Sequence, residues 1–142
     1  MAGPLHLSYE VEGGDLTQAG EASSQMKQTL KQLGFPPDVI RRASVCMYEG
    51  EINMVIHADG GRVEVDVGMD AITLRLIDHG PGIPDVEQAM QEGYSTAPDN
   101  VRSLGFGAGM GLPNIKKYSD DMRIDTELGK GTTMYFSVFP KN

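Results

Sequence analysis

Val63-Glu64-Val65-Asp66-Val67, Gly68-Met69-Asp70-Ala71 and Ile72-Thr73-Leu74-Arg75-Leu76 follow one another directly. In the first and last stretches a branched apolar residue stands at every second position. That period puts one side of each strand against a core and the other toward water. The glycine-containing break between them is short enough for a tight turn, so the pair reads as a β-hairpin with one buried face. The sheet it seeds is expected to be largely antiparallel. Upstream, Leu5–Val11 reads as a first strand stopped by Gly13-Gly14, and Leu16–Leu33 carries apolar residues near helical spacing up to Gly34. Pro36-Pro37 then opens a second helix, because proline is tolerated in a first turn and Asp38 suits the positive helix end. It is expected to run to about Ala58. Downstream, Asp85–Gln91 reads as a short helix and Leu112–Tyr118 as another. Met122–Thr126 and Thr133–Phe139 read as final strands around a turn over Glu127–Gly131. About five strands and three or four helices come in blocks rather than in βαβ alternation. The expectation is therefore an α+β fold, a two-layer sandwich whose mixed, mostly antiparallel sheet is covered on one face by helices.

The 142 residues suit a single domain over 1–142 with its own core. A net charge of −8 argues against an extended nucleic-acid footprint. No apolar run approaches the ~18 residues of a membrane span, and the N-terminus lacks the layout of a signal peptide. A cytoplasmic chain without a membrane segment is expected. One cysteine excludes an internal disulfide and a cysteine-only metal cage. The 18 glycines are about twice the average share of ~7%, and they cluster.

The clusters fail two phosphate-binding patterns. The Gly-Lys pair, Gly129-Lys130, is followed by Gly131 where a P-loop needs serine or threonine. Read as G-x-G-x-x-G from Gly105 or Gly107, the last position falls on Met110 or Leu112. What stands is Gly105-x-Gly107-x-Gly109-x-Gly111 leading into a helix. Alternating glycines let successive backbone N–H groups turn toward an anion, and the helix adds its positive end. A flexible surface loop is the other reading. On the second helix Glu49, Asn53 and His57 recur at four-residue spacing and share a face. A carboxylate and a carboxamide one turn apart can divide two tasks: one accepts a proton, the other offers a neutral oxygen to a hard cation. A solvated polar stripe has the same spacing.

Taken in order, Glu49-x-x-x-Asn53, Asp78-x-Gly80-x-Gly82, the alternating glycines and Gly131-Thr132 resemble the Bergerat-fold ATPases, a superfamily that includes gyrase, Hsp90, histidine kinases and MutL. The resemblance covers nearly all of the chain. It implies that Asp78 bonds the adenine amine, with Gly82 letting the base approach and Thr132 supporting the pocket through its hydroxyl. It implies that Asn53 holds Mg²⁺, that backbone N–H groups around Gly105, Gly107, Gly109 and Gly111 hold the phosphates of ATP, and that about Glu92 to Leu104 forms a lid. Ile56 stands where histidine kinases carry lysine or arginine three residues after the asparagine. The chain also shows neither a phosphoacceptor hairpin before the motif nor a transducer domain after it. Asp78-His79-Gly80-Pro81-Gly82-Ile83-Pro84-Asp85, Gly93-Tyr94-Ser95-Thr96 and Gly109-Met110-Gly111-Leu112-Pro113 look most like the anti-sigma-factor and stressosome switch-kinase branch.

That branch implies a serine/threonine kinase with Glu49 as general base, acting on a STAS-domain protein. The alternative is a nucleotide-loaded module that sequesters a sigma factor or a phosphatase; a stand-alone histidine kinase domain is a third reading. Homodimers occur among relatives, and the partner face is expected on the exposed side of the first helix (Gln18 to Gln32). Several residues keep two readings. Arg102 contacts the terminal phosphate or lies on the lid surface. His57 holds Asn53 or packs at the helix end. Gly50 admits a nucleotide or partner, or reflects drift. Lys116 and Lys117 read as a solvated face, Cys46 as a buried inert thiol, and Glu51 as a carboxylate facing away from Asn53.

Overall fold

The computed structural model describes residues 5–13, 20–57, 60–82 and 111–140. Eight elements follow in order: β1 (Leu5–Glu12), α1 (Glu21–Gln32), α2 (Pro37–His57), β2 (Gly60–Val67), β3 (Ile72–Asp78), α3 (Gly111–Tyr118), β4 (Asp121–Glu127) and β5 (Gly131–Val138). The strands form one five-stranded sheet in the order β1-β2-β3-β5-β4. All four pairings are antiparallel, the limiting case of the mostly antiparallel sheet expected. The hairpin that seeds it is in place: Val67 faces Ile72, and the Gly68 N–H donates to the Ala71 carbonyl at 2.9 Å.

Alternation decides which face carries helices. Val63, Val65 and Val67 of β2, Ile72, Leu74 and Leu76 of β3, and Met134, Phe136 and Val138 of β5 are all buried. Met26 and Leu30 of α1, Ala43, Cys46 and Met47 of α2 and Ile115 of α3 close over them. The opposite face carries Arg62, Glu64 and Asp66 with Thr73, Arg75, Tyr135 and Arg123. It is polar, and Arg123 lies 4.2 Å from the centre of the Tyr135 ring. The two-layer arrangement of the sequence reading therefore holds.

Helix ends follow their residues. Gly34 closes α1 in the left-handed region (φ 83°), where glycine carries no Cβ penalty, and the Phe35 N–H reaches back to the Leu30 carbonyl. Gly20 precedes the helix with φ 95° and offers no side-chain cap. The cap comes instead from Glu51, 2% exposed on α2. Its Oε2 accepts from the Gly20 and Ala22 N–H groups, and its Oε1 from the Ser23 N–H and hydroxyl. Glu51 does face away from Asn53, and its role is to hold two helices together. Lys27 and Lys31 sit on the exposed side of α1. The expected helix start over Leu16–Ala19, the short helix at Asp85–Gln91 and the lid lie outside the described residues.

Candidate functional site

The site is built where α2 crosses the carboxyl end of β3. Two glycines allow that crossing. A Cβ on Gly50 would stand 2.1 Å from Leu76 Cδ2, and one on Gly61 would stand 2.5 Å from Met54 Cε. Gly61 pairs with Asp78 across the β2–β3 ladder. The helix is thus seated close on the sheet from Leu76 to the strand end. This settles Gly50: it faces the sheet and serves packing, which replaces both readings offered for it from sequence.

With Gly50 and Met54 turned to the sheet, Glu49 and Asn53 lie one turn apart on the adjoining flank of α2, both half-buried. Burial pushes the Glu49 carboxyl above its ordinary value, and the polar side chain of Asn114 on α3 works against that rise. The sequence reading missed Asn114. Its signal was a carboxamide placed directly after Leu112-Pro113 in the helix that the glycine string opens.

At the end of β3, Asp78 is 8% exposed and shares the helix-covered face with Leu74 and Leu76. Its Oδ1 accepts from the Gly80 N–H at 3.0 Å and from the Thr132 N–H at 3.1 Å. Its Oδ2 accepts from no described residue, so the carboxylate is fixed by one oxygen and presents the other. Thr132 is buried, and its tie to Asp78 runs through the backbone, while its hydroxyl pairs with that of Thr126 at 2.9 Å. Gly131 must stay bare because a Cβ there would strike the Asp78 carbonyl. Gly82, at φ 84°, has a similar reason: its Cβ would stand 2.7 Å from the Glu127 carbonyl oxygen. The Gly129 N–H also bonds the Pro81 carbonyl. The β4–β5 turn is therefore latched to the segment after Asp78.

An open cleft of about 330 Å³ borders this turn, lined by Asp78, His79, Thr132, Ile77 and Asp125 among others. Neither Glu49 nor Asn53 lines it. Ile77 and Thr133 alternate out of phase with Asp78 and Thr132, so the cleft wraps the sheet end toward the polar face.

The structure thus brings Asp78 to Thr132 and seats Glu49 and Asn53 on the helix above that strand end. Gly111 is the first residue of α3. Gly105, Gly107, Gly109 and Arg102 lie outside the described residues, as does the side chain of His57. Cys46 is buried, its Sγ 3.6 Å from the Ile115 carbonyl oxygen, and burial pushes its thiol up to about 12. That matches an inert thiol. Lys116 and Lys117 are exposed. Among the described residues no three His, Cys, Asp or Glu side chains could hold a metal. A magnesium ion here would take few protein ligands and complete its shell from phosphate and water, which suits a lone carboxamide such as Asn53.

Comparison with known proteins bears on the family and the fold. Residues 40–142 match the family model of histidine kinase-, DNA gyrase B- and HSP90-like ATPases. An anti-sigma F factor of Clostridium beijerinckii is 35% identical over 107 residues, covering 71% of this chain and 71% of that one. The serine/threonine-protein kinase RsbT of Bacillus subtilis is 29% identical over 110 residues, covering 75% of this chain and 77% of the kinase. Among solved structures, the RsbU and RsbW domains of a Mycobacterium tuberculosis protein superpose with a TM-score of 0.62 at 18% identity. That match covers 97% of this chain and 32% of the other, and it supports the fold. With the motifs, the antiparallel sheet and the family match in agreement, the chain belongs to the histidine kinase-, DNA gyrase B- and HSP90-like ATPases.

Proposed function

We propose that this chain is a bacterial, cytoplasmic Mg-ATP-dependent serine/threonine protein kinase that phosphorylates a STAS-domain antagonist in a partner-switching pathway. The observation that carries it is the pairing of Glu49 with Asn53 one turn apart on α2, seated by Gly50 and Gly61 over the strand end where Asp78 is fixed by one oxygen. Asp78 Oδ2, which accepts from no described residue, suits an exocyclic amine of adenine, and the Thr132 N–H holds the carboxylate by its other oxygen. Asn53 would hold magnesium, which when bound neutralises charge gathering on the phosphates. The N–H groups around Gly105, Gly107, Gly109 and Gly111 would cradle those phosphates. Glu49 accepts the proton of the acceptor hydroxyl as that oxygen bonds the terminal phosphorus and the bond to the departing ADP breaks. The raised basicity of a half-buried carboxylate favours this role. No helix among the described residues is long and apolar enough to cross a membrane.

Labelled ATP incubated with STAS-domain proteins of the same genome tests the reading. Transfer is expected from the wild type, and Glu49→Ala is expected to slow it by about 10²–10⁴-fold while nucleotide binding is kept. Binding without transfer to any STAS-domain acceptor would favour the second reading, a nucleotide-loaded module that sequesters a sigma factor or phosphatase. The 35% identity to a protein named anti-sigma F factor gives that alternative its support.

A further inference from the structure

β1 is an edge strand of the sheet, and its first half is thinly packed. Of its residues only Val11 is buried; Leu5 is exposed, and Leu7 and Tyr9 lie at the rim of the core. The start of the strand is instead tied to β2 by side chains on the polar face. His6 stands opposite Asp66 in the ladder. Its Nδ1 lies 2.7 Å from Asp66 Oδ1, and its Nε2 lies 2.7 Å from Glu64 Oε2. Both nitrogens of one ring thus meet carboxylates two positions apart on β2. We infer that His6 is a proton-dependent clamp: as imidazolium it fastens the start of β1 to β2, and on losing a proton it lets that edge of the sheet loosen.

Donors and acceptors decide the matter. An ionised carboxylate only accepts, so each of the two contacts needs an N–H from the ring. Imidazolium has two. Neutral imidazole has one, and its other nitrogen then turns a lone pair toward a carboxylate. Glu64 is kept ionised from its far side, where Arg62 Nε lies 2.8 Å from Oε1. The neighbouring charges do not replace the clamp. Arg75 of β3 stands opposite Glu64, and Glu10 of β1 stands opposite Arg62. Among the described residues Asp66 has no other cation as partner, and the helices cover the opposite face. The two carboxylates hold the imidazole above its ordinary value, the bond to Asp66 most and the bond to Glu64 next. A proton held more tightly in the folded chain stabilises fully below the ordinary imidazole value of ~6.5. That contribution is lost as pH rises through the higher folded value. The start of β1 is therefore fast in mild acid and loosens toward higher pH, whatever reaction the chain performs.

Two measurements on the full chain test this. In the first, the imidazole nitrogens are titrated by NMR in ¹⁵N-histidine-labelled protein, the His6 signals being those that vanish in His6→Gln. Both ring nitrogens are expected to carry protons below a midpoint that lies above the ordinary ~6.5. Asp66→Asn and Glu64→Gln are each expected to lower that midpoint. A midpoint at or below the ordinary value, or one that neither substitution moves, overturns the proposal. In the second, hydrogen exchange of the β1 amides over residues 5–8 is followed on both sides of the midpoint and corrected for the intrinsic pH dependence of exchange. Amides of β3 serve as the internal reference. Protection in β1 is expected to fall roughly two- to fivefold across the midpoint, the range of an exposed ion pair, while that of β3 holds. His6→Gln, whose side chain does not titrate, is expected to flatten the β1 profile. Should that variant fray β1 at every pH, the double variant Glu64→Gln/Asp66→Asn, which keeps the ring and removes both carboxylates, is expected to flatten it as well. Wild-type β1 protection that ignores the midpoint, or a pH-dependent loss that persists in both variants, overturns the clamp.

Discussion

A glycine in the middle of a helix costs about 1 kcal/mol relative to alanine, so Gly50 should be easy to improve by propensity alone. Its surroundings reverse that. An added Cβ would stand 2.1 Å from Leu76 Cδ2, and Leu76 is itself locked in the core. Overpacking a filled interior costs about 1–3 kcal/mol. Gly50→Ala is therefore expected to lower stability by roughly 1 kcal/mol after the propensity gain is taken off, read as a lower denaturant midpoint. Trimming the neighbour in Gly50→Ala/Leu76→Val is expected to return part of the loss, since residues in contact do not add independently. From sequence, the same glycine looked like access for a ligand or like drift. Nothing local could decide between them, because the atom it makes room for lies 26 positions away, on β3.

Between elements, the decisive contact is Glu51 on the end of α1. A helix start leaves its first N–H groups without partners, and Gly20 has no side chain to supply one. Glu51 meets three backbone N–H groups and the Ser23 hydroxyl with a single buried carboxylate. Glu51→Gln turns an NH₂ group toward those donors. It is expected to cost roughly 2–4 kcal/mol, since hydrogen bonds to a charged group are lost and buried donors are left bare. Chemical denaturation measures the cost, and hydrogen exchange should show α1 losing protection first. The elements themselves were legible. Alternation marked β2 and β3, Pro36-Pro37 marked the start of α2, and Gly34 the end of α1. Each is a signal carried by residues close in the chain. The Glu51 cap was not legible as a partnership. It joins residues whose spacing follows only from how α2 lies against α1. The candidate site divides in the same way: Glu49, Asn53, Asp78 and Thr132 were found by motif, but the backbone route from Thr132 to Asp78 and the packing duty of Gly82 needed the β4–β5 turn in place.

At the scale of the whole molecule, one open sheet carries the three helices of the described residues on its inner face, and the candidate nucleotide contacts come from α2, β3 and β5. A ligand that touches all three links parts of the chain far apart in sequence, and it binds only the folded form. At 100 times its dissociation constant such a ligand stabilises by about 2.7 kcal/mol. Mg-ATP is therefore expected to raise the melting temperature by roughly 5–10 °C for a domain of this size. GTP, which lacks the adenine amine, should give little shift, and Asp78→Ala should abolish the rise.

The seclusion of Cys46 under α3 has a practical side for bioconjugation. Its sulfur is enclosed and deprotonates only at about 12, so maleimide chemistry at neutral pH passes it by. Met69, at the tip of the β2–β3 hairpin and 74% exposed, can be exchanged for a cysteine on the otherwise native chain. A fluorophore there would report on encounters with other proteins, with the interior thiol left in place.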